Sequence, residues 1–272
     1  MFGTNPLSKP IESDGLYLEV QDIFSTIQGE GPFAGKPAVF LRLAGCNLRC
    51  FFCDTDFESR RTTTSLGRIK SDIEQLASRD KIGKTDLVVI TGGEPLLQNV
   101  IPLCWVLAKA GFHVQFETAG TVWVEGLEDL IDQGKVSLVC SPKTPTVHAM
   151  ICRWCGDWKY LIRAGEVLAL DGLPFMSTQL PGKEAKIKRP PKPLDTVWLQ
   201  PCEEYQVGYR LKSDGIVAPL RNLSGAELAD QEVTSSVRDE EATQRNIRLC
   251  AELAMKFNYR VSLQLHKLLH LP

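Results

Sequence analysis

Three cysteines in one short stretch carry the most chemical potential of any feature in this sequence. Cys46, Cys50 and Cys53 stand as C-x3-C-x2-C in GCNLRCFFCDT. A short loop can bring three thiolates at this spacing around one inorganic centre. Two centres compete. A structural zinc ion takes four ligands, usually as C-x2-C pairs, and needs a fourth from elsewhere. A [4Fe–4S] cluster normally takes four cysteines. Three would leave one iron open to a substrate or cofactor, which turns an electron-transfer cluster into a reactive site.

Other thiols are less informative. Cys152 and Cys155 form a C-x2-C around Arg153 and Trp154. An auxiliary cluster there would need further ligands, such as Cys140 or Cys202, so free or zinc-binding thiols are the preferred reading. Cys104 and Cys250 fall in helical patterns and read as small core residues. Arg42 poses a different question. In AVFLRLAG, strand alternation puts Phe40 and Arg42 on one face and Val39, Leu41 and Leu43 on the other. A cation on a central strand needs a partner, because an unpaired buried charge is costly. That partner is either a protein carboxylate, such as Glu30 or Glu117, or a substrate carboxylate gripped through two parallel hydrogen bonds.

Composition narrows the setting. The 272 residues suit one large domain or two small ones, and a net charge of -2 gives no general drive towards nucleic acid. No apolar run approaches the roughly 20 residues of a membrane helix. MFGTNPLSKPIESDG lacks the apolar core of a signal peptide. The expectation is a chain of the reducing cytoplasm, where nine cysteines serve as thiols or metal ligands, not disulfides.

The loaded residues sit between short apolar runs. Strands are expected at 16–24, 38–43, 87–90, 112–116, 136–139, 158–162, 197–199 and 259–263. Helical periods link Ile69, Ile73 and Leu76; Leu103, Val106, Leu107 and Ala110; and Leu127, Leu130 and Ile131. A longer helix runs from about Glu240 to Lys256 with Ile247, Ala251 and Ala254 on one side. Alternating strands and helices imply a parallel sheet. After each strand come small, polar or Pro/Gly residues: the three cysteines, Thr91-Gly92-Gly93-Glu94-Pro95, Glu117-Thr118, Ser141-Pro142-Lys143 and Gln200-Pro201. In parallel α/β barrels the site is built from such loops. About six units fit, too few to close a barrel of eight, so an open, partial β/α barrel is expected over 16–272. Residues 1–15 form an extension. Segments 168–193 and 203–237, polar or rich in Pro, Gly and Lys, read as surface insertions.

C-x3-C-x2-C after a strand, followed by Thr91-Gly92-Gly93-Glu94-Pro95, resembles the radical S-adenosylmethionine (SAM) superfamily. The flanks resemble one family within it, the 7-carboxy-7-deazaguanine synthases. They include Phe24-Ser25-Thr26-Ile27-Gln28-Gly29-Glu30-Gly31, Gly35 to Phe40, Cys53-Asp54-Thr55, Glu117-Thr118, Ser141-Pro142-Lys143, Gln200-Pro201 and Gln264-Leu265-His266-Lys267. The resemblance implies a homodimeric enzyme with a [4Fe–4S] cluster, SAM and Mg2+. It implies a small pterin substrate, an electron donor such as a flavodoxin or ferredoxin, and neither nucleic acid nor membrane as partner. Cys46, Cys50 and Cys53 would ligate the cluster and Thr55 the Mg2+. SAM would meet Phe52, Cys53, Asp54, Gly93, Glu117, Ser141, Pro142, Lys143, Gln200, Pro201, Cys202 and Glu203. The substrate would meet Ile27, Gln28, Gly29, Glu30, Arg42, Thr91 and Pro272, with Leu268, Leu269 and Leu271 docking the C-terminal stretch. Ala119-Gly120 departs from the polar residue many relatives carry. Two other readings stand beside this one: an activase that makes a glycyl radical on a protein, and an iron–sulfur electron carrier.

Overall fold

The computed structural model describes residues 6–53, 55–78, 85–211, 217–219 and 231–272, and gives the backbone alone over 206–211, 217–219 and 231–237. The chain opens with strands β1 (Tyr17–Ile27), β2 (Pro37–Leu43) and β3 (Thr62–Ser65), then helix α1 (Leu66–Ala77). Strand β4 (Leu87–Gly92) leads to α2 (Ile101–Lys109), β5 (His113–Thr118) to α3 (Leu127–Asp132), and β6 (Val136–Cys140) to α4 (Ala149–Trp154). Then come β7 (Asp157–Ile162), β8 (Thr196–Pro201), β9 (Tyr205–Leu211), β10 (Val217–Pro219) and β11 (Gln231–Arg238). The chain continues with α5 (Glu240–Phe257), β12 (Arg260–Val261) and α6 (Leu265–Leu268).

Among the described residues nine strands form one sheet in the order β12-β8-β7-β6-β5-β4-β2-β1-β3. From β2 to β12 the strands run parallel. This is the open, partial barrel expected from the sequence, with β12 reduced to two residues. The first expected strand differs: β1 runs antiparallel to β2 and extends the sheet through β3, a Thr-rich strand that the apolar pattern did not announce.

Strand alternation divides the apolar residues between two cores. Val39, Leu41, Leu43, Val88 and Ile90 face the helices and join Ile69, Ile73, Leu103 and Leu107. Ala38, Phe40, Leu87 and Val89 line the inner face of the sheet with Phe24 and Phe33. Helix α1 shows how the sequence builds the outer layer. The Ser65 hydroxyl caps it by accepting from the Arg68 N–H at 3.4 Å, and Ile69, Ile73 and Ala77 recur on one buried face. Burying each isoleucine contributes roughly 1.5–3 kcal/mol. Helix α5 is capped by Asp239, but its buried face is Thr243, Asn246, Cys250 and Leu253. The expected stripe of Ile247, Ala251 and Ala254 is displaced because Asn246 is drawn inward to the Cys202 carbonyl at 2.9 Å and to Glu204 at 3.2 Å.

The two expected insertions behave differently. Segment 203–237 contains an antiparallel sheet, β10-β9-β11, where an irregular stretch was expected. Segment 168–193 lies in the connection from β7 to β8, which carries no helix among its described residues. It is a strap closed by isolated bridges Val167–Pro174 and Met176–Glu184 and pinned by buried Leu173 and Ile187. The described part of the N-terminal extension lies across the strand-end loops. Ser8 N–H donates to the Cys46 carbonyl at 2.8 Å, and Ile11 N–H to the Leu97 carbonyl at 2.7 Å.

Candidate active site

The carboxyl ends of the parallel strands open onto a cavity of about 940 Å3. Alternation decides what reaches it. Arg42 and Thr91 are neighbours across the β2–β4 ladder and both line it, as do Glu117 of β5, Lys159 of β7 and Gln200 of β8. Arg42 stands 5.8 Å from the centre of the Phe24 ring. The two protein carboxylates considered for it are committed elsewhere. Glu30 pairs with Lys159, and Glu117 accepts from Gln28 Nε2 at 3.0 Å.

One end of the cavity is the cysteine loop after β2. Cys46, Cys50 and Cys53 all line the wall, Cys46 buried and the others half-buried. The loop is held from both sides. Asn47 Nδ2 donates to Thr121 Oγ1 at 2.9 Å, and Phe51 N–H to the Thr178 carbonyl of the strap at 3.0 Å. Gly93 comes so close that a Cβ on it would meet the Gly45 carbonyl and lie 2.7 Å from the Cys46 Cβ. The glycine was expected to let a ligand approach; it also seats the cysteine loop. Behind it Glu94 is buried, accepting from Thr118 Oγ1 at 2.7 Å and the Ala119 N–H at 2.8 Å. Burial outweighs these bonds and holds its carboxyl above the ordinary range.

The donor chemistry suits an iron–sulfur centre. Burial, with nearby Glu94 and the other two cysteines adding to it, pushes the Cys46 thiol up to about 12. A thiolate there therefore calls for a metal cation to compensate it. Among the described residues no three Cys, His, Asp or Glu side chains form a closed metal-ligand set. The three thiols share a wall and would be drawn together by the metal. Gln200 Oε1 is buried beside the cavity without a hydrogen-bond partner, an acceptor left for a bound cofactor.

The opposite end is a polar network. Glu30 is buried and ion-paired with Lys159, and its Oε1 accepts from Gln264 Nε2 at 2.9 Å. Lys159 also lies 3.9 Å from Glu117 Oε2. Burial alone would raise the Glu30 carboxyl, but Lys159 and Gln264 together hold it below the usual range. The C-terminal segment closes this end. Thr26 Oγ1 donates to the Pro272 carbonyl oxygen at 2.9 Å, Lys267 reaches Glu203 at 2.7 Å, and Leu265 N–H reaches the Gly29 carbonyl at 3.4 Å. Leu268, Leu269 and Leu271 do not dock this segment; they are exposed. These polar bonds hold it instead.

The radical SAM superfamily model matches residues 41–183. A 7-carboxy-7-deazaguanine synthase of Rhodospirillum rubrum is 40% identical over 269 residues, covering 99% of each chain. The chain belongs to the 7-carboxy-7-deazaguanine synthase family. A synthase of Rickettsia prowazekii is 46% identical over 144 residues, 53% of this chain and 58% of that protein. The fold resembles the crystal structure of QueE from Escherichia coli, with a TM-score of 0.56 and 22% identity, covering 93% of this chain and 99% of that one. Membership of the radical SAM superfamily brings with it a [4Fe–4S] cluster and SAM, displacing the structural-zinc and electron-carrier readings.

Most residues expected of a 7-carboxy-7-deazaguanine synthase meet at this cavity. Phe52, Thr55, Gly93, Glu117, Ser141, Lys143, Gln200, Pro201, Cys202 and Glu203 line it, as do Gln28, Glu30, Arg42, Thr91 and Pro272. Three do not. Ile27 ends β1 opposite Pro37, Gly29 backs the C-terminal segment, and buried Pro142 borders a smaller neighbouring cavity. Asp54 lies outside the described residues. Lys143 is half-buried with its Nζ 3.1 Å from the Ser141 carbonyl, and desolvation pulls its ammonium below the ordinary range. Lys159 was missed. In WKYLI it alternates with buried Trp158 and Tyr160, and the argument made for Arg42 would have found it. No helix among the described residues is long and apolar enough to cross a membrane.

Proposed function

We propose that this chain converts 6-carboxy-5,6,7,8-tetrahydropterin to 7-carboxy-7-deazaguanine with loss of ammonia, a step towards queuosine and other 7-deazapurines. The observation that carries the reading is one cavity with the three cysteines at one end and Arg42, lacking a protein carboxylate among the described residues, facing the same space. Full-length similarity to a curated synthase supports it.

When bound, the cluster and SAM supply one-electron chemistry that removes a hydrogen atom from the substrate. Cys46, Cys50 and Cys53 would hold the cluster. Phe52, Asp54, Gly93, Glu117, Ser141, Pro142, Lys143 and Gln200 to Glu203 would hold SAM, with Gln200 Oε1 offering a ready acceptor. Arg42 grips the pterin carboxylate through its planar fork. Gln28, Glu30 and Thr91 supply hydrogen bonds to the ring, with Ile27, Gly29 and Pro272 shaping its surroundings. Lys159 orients the carboxylates of Glu30 and Glu117. Thr55 would offer a hydroxyl to Mg2+, a hard ion that favours oxygen donors. A homodimer and a flavodoxin or ferredoxin donor complete the assignment.

The test is anaerobic reconstitution with iron and sulfide, reduction, and chromatography for 5′-deoxyadenosine and for the deazaguanine, with and without the carboxypterin. Pterin-dependent formation of both is expected. Cleavage of SAM with the pterin recovered unchanged would overturn the substrate assignment.

A further inference from the structure

The strap between β7 and β8 touches the cysteine loop directly. The Thr178 carbonyl accepts from Phe51 N–H at 3.0 Å, and its hydroxyl lies 3.7 Å from the Cys50 thiol. The Arg163 guanidinium stands 5.4 Å from the centre of the Phe51 ring. Cys50 therefore has the cavity on one side and the strap on the other.

The same strap carries the densest basic run of a chain whose net charge is -2. Arg189 is committed to Asp171 at 2.8 Å, and Lys192 to Asp195 at 3.5 Å. Lys183 and Lys186 are exposed and Lys188 half-buried. Among the described residues none of these three has an ion-pair partner, and Glu184 is the one acidic residue between them in sequence. Lys183 and Lys188 are anchored near the cluster loop through their backbones. Lys183 O accepts from Ser177 N–H at 2.8 Å, next to Thr178, and Lys188 N–H donates to the Thr144 carbonyl at 3.1 Å, next to Lys143.

We propose that Lys183, Lys186 and Lys188 dock an acidic one-electron carrier protein beside Cys50. The inference rests on the radical reading above, which requires an electron from outside. The cavity side is taken by SAM and substrate, so the electron enters through the strap side. The donor's reduced cofactor gives up one electron and the cluster gains it; no bond forms or breaks. Electron-transfer encounters are small and brief, and opposite charges steer them. Flexible lysines at the rim suit that use. A nucleic acid is the less fitting occupant, because residues 176–192 contain no aromatic on which a base could stack.

The experiment compares the reconstituted parent enzyme with K183E/K186E/K188E, using either reduced flavodoxin or dithionite as electron source. The triple variant should raise the KM for flavodoxin by about tenfold or more at low ionic strength. It should lose the salt dependence of that KM and leave dithionite-supported turnover and the cluster's EPR signal unchanged. Calorimetry of flavodoxin binding should show the same loss of affinity. Lys109→Glu with Lys135→Glu, exposed positions in other parts of the fold, should change neither. An unchanged flavodoxin KM and affinity would overturn the proposal. So would equal loss with both reductants, since the strap would then serve the site itself, and so would lysine-dependent binding of a single-stranded oligonucleotide with flavodoxin unaffected. If the parent enzyme shows no dithionite-supported turnover, the function proposed above fails, and the calorimetric affinities alone decide the docking.

Discussion

At the cysteine end of the cavity the metal ligands come from one loop, whereas at the far end Gln28 and Glu30 arrive from the loop after β1, Glu117 and Lys159 from β5 and β7, and Gln264 from the C-terminal segment. The cysteine end holds one thiol, Cys46, that burial keeps protonated until a metal compensates it. The far end is charged already, with Lys159 between Glu30 and Glu117. One end waits for its inorganic partner to take shape, and the other is organised by its own ion pairs. Losing a residue should therefore remove chemistry at the first and stability at the second.

The largest effect tests the first half of this contrast. Replacing any one of Cys46, Cys50 or Cys53 by Ala should abolish iron–sulfur absorbance and SAM cleavage, because each supplies one of only three thiolates. The metal-free variants should unfold in urea close to the parent. Cys152→Ala with Cys155→Ala should keep the cluster; loss of iron from that variant would revive an auxiliary centre.

Lys159→Met should do the reverse. It strands Glu30 in a buried position and should cost about 3–5 kcal/mol in urea unfolding of the metal-free chain. The pH dependence follows from the sign of the Glu30 shift. Its folded-state pKa is lowered, so the pair's contribution is present above the unfolded value of about 4.3 and is lost as pH falls through the folded value. The gap between parent and variant should therefore close below about pH 4. A gap that stays constant into acid would assign the cost to lost packing.

Arg42→Lys bears on ligand discrimination. A point charge cannot reproduce the planar fork, so pterin binding should weaken by about 1.5–3 kcal/mol while SAM binding holds. Equal weakening of both would make Arg42 structural. The smallest effect belongs to Thr55→Ala, which should blunt the rise in turnover on adding Mg2+. Full activity after thorough chelation would remove Thr55 from that role.

What the sequence disclosed tracks how local each feature is. The cysteine loop, Gly93 and Ser141 to Lys143 are short runs directly after strands, and a one-dimensional reading reaches them. Arg42 was legible because alternation alone put it on the inner face. Lys159 was equally placed but lay in no recognised motif. Its meaning depends on Glu30 and Gln264, far away in sequence. In the β9–β11 sheet, β9 (YQVGYRL) alternates Tyr, Val, Tyr and Leu with polar residues or Gly and was overlooked, whereas β11 (QEVTSSVR) is mostly polar and was hidden, as was β3, where threonines carry the strand without an apolar run. In α5 the helix was legible and its face was not, since a buried Asn246 defeats a purely apolar stripe.

Two bonds described above join residues far apart along the chain, Thr26 with Pro272 and Glu30 with Gln264, and a third runs from Gly31 N–H to Ser262 Oγ at 3.0 Å; the separations are 246, 234 and 231 positions. Contacts at such separation bear a large loop-closure entropy and form only after nearer pairings have shortened the path between them. The central parallel strands and the cysteine loop thus belong to the early part of folding, and this seam belongs to its end. Weakening the seam, as in Thr26→Val, should accelerate unfolding while leaving the folding rate nearly untouched.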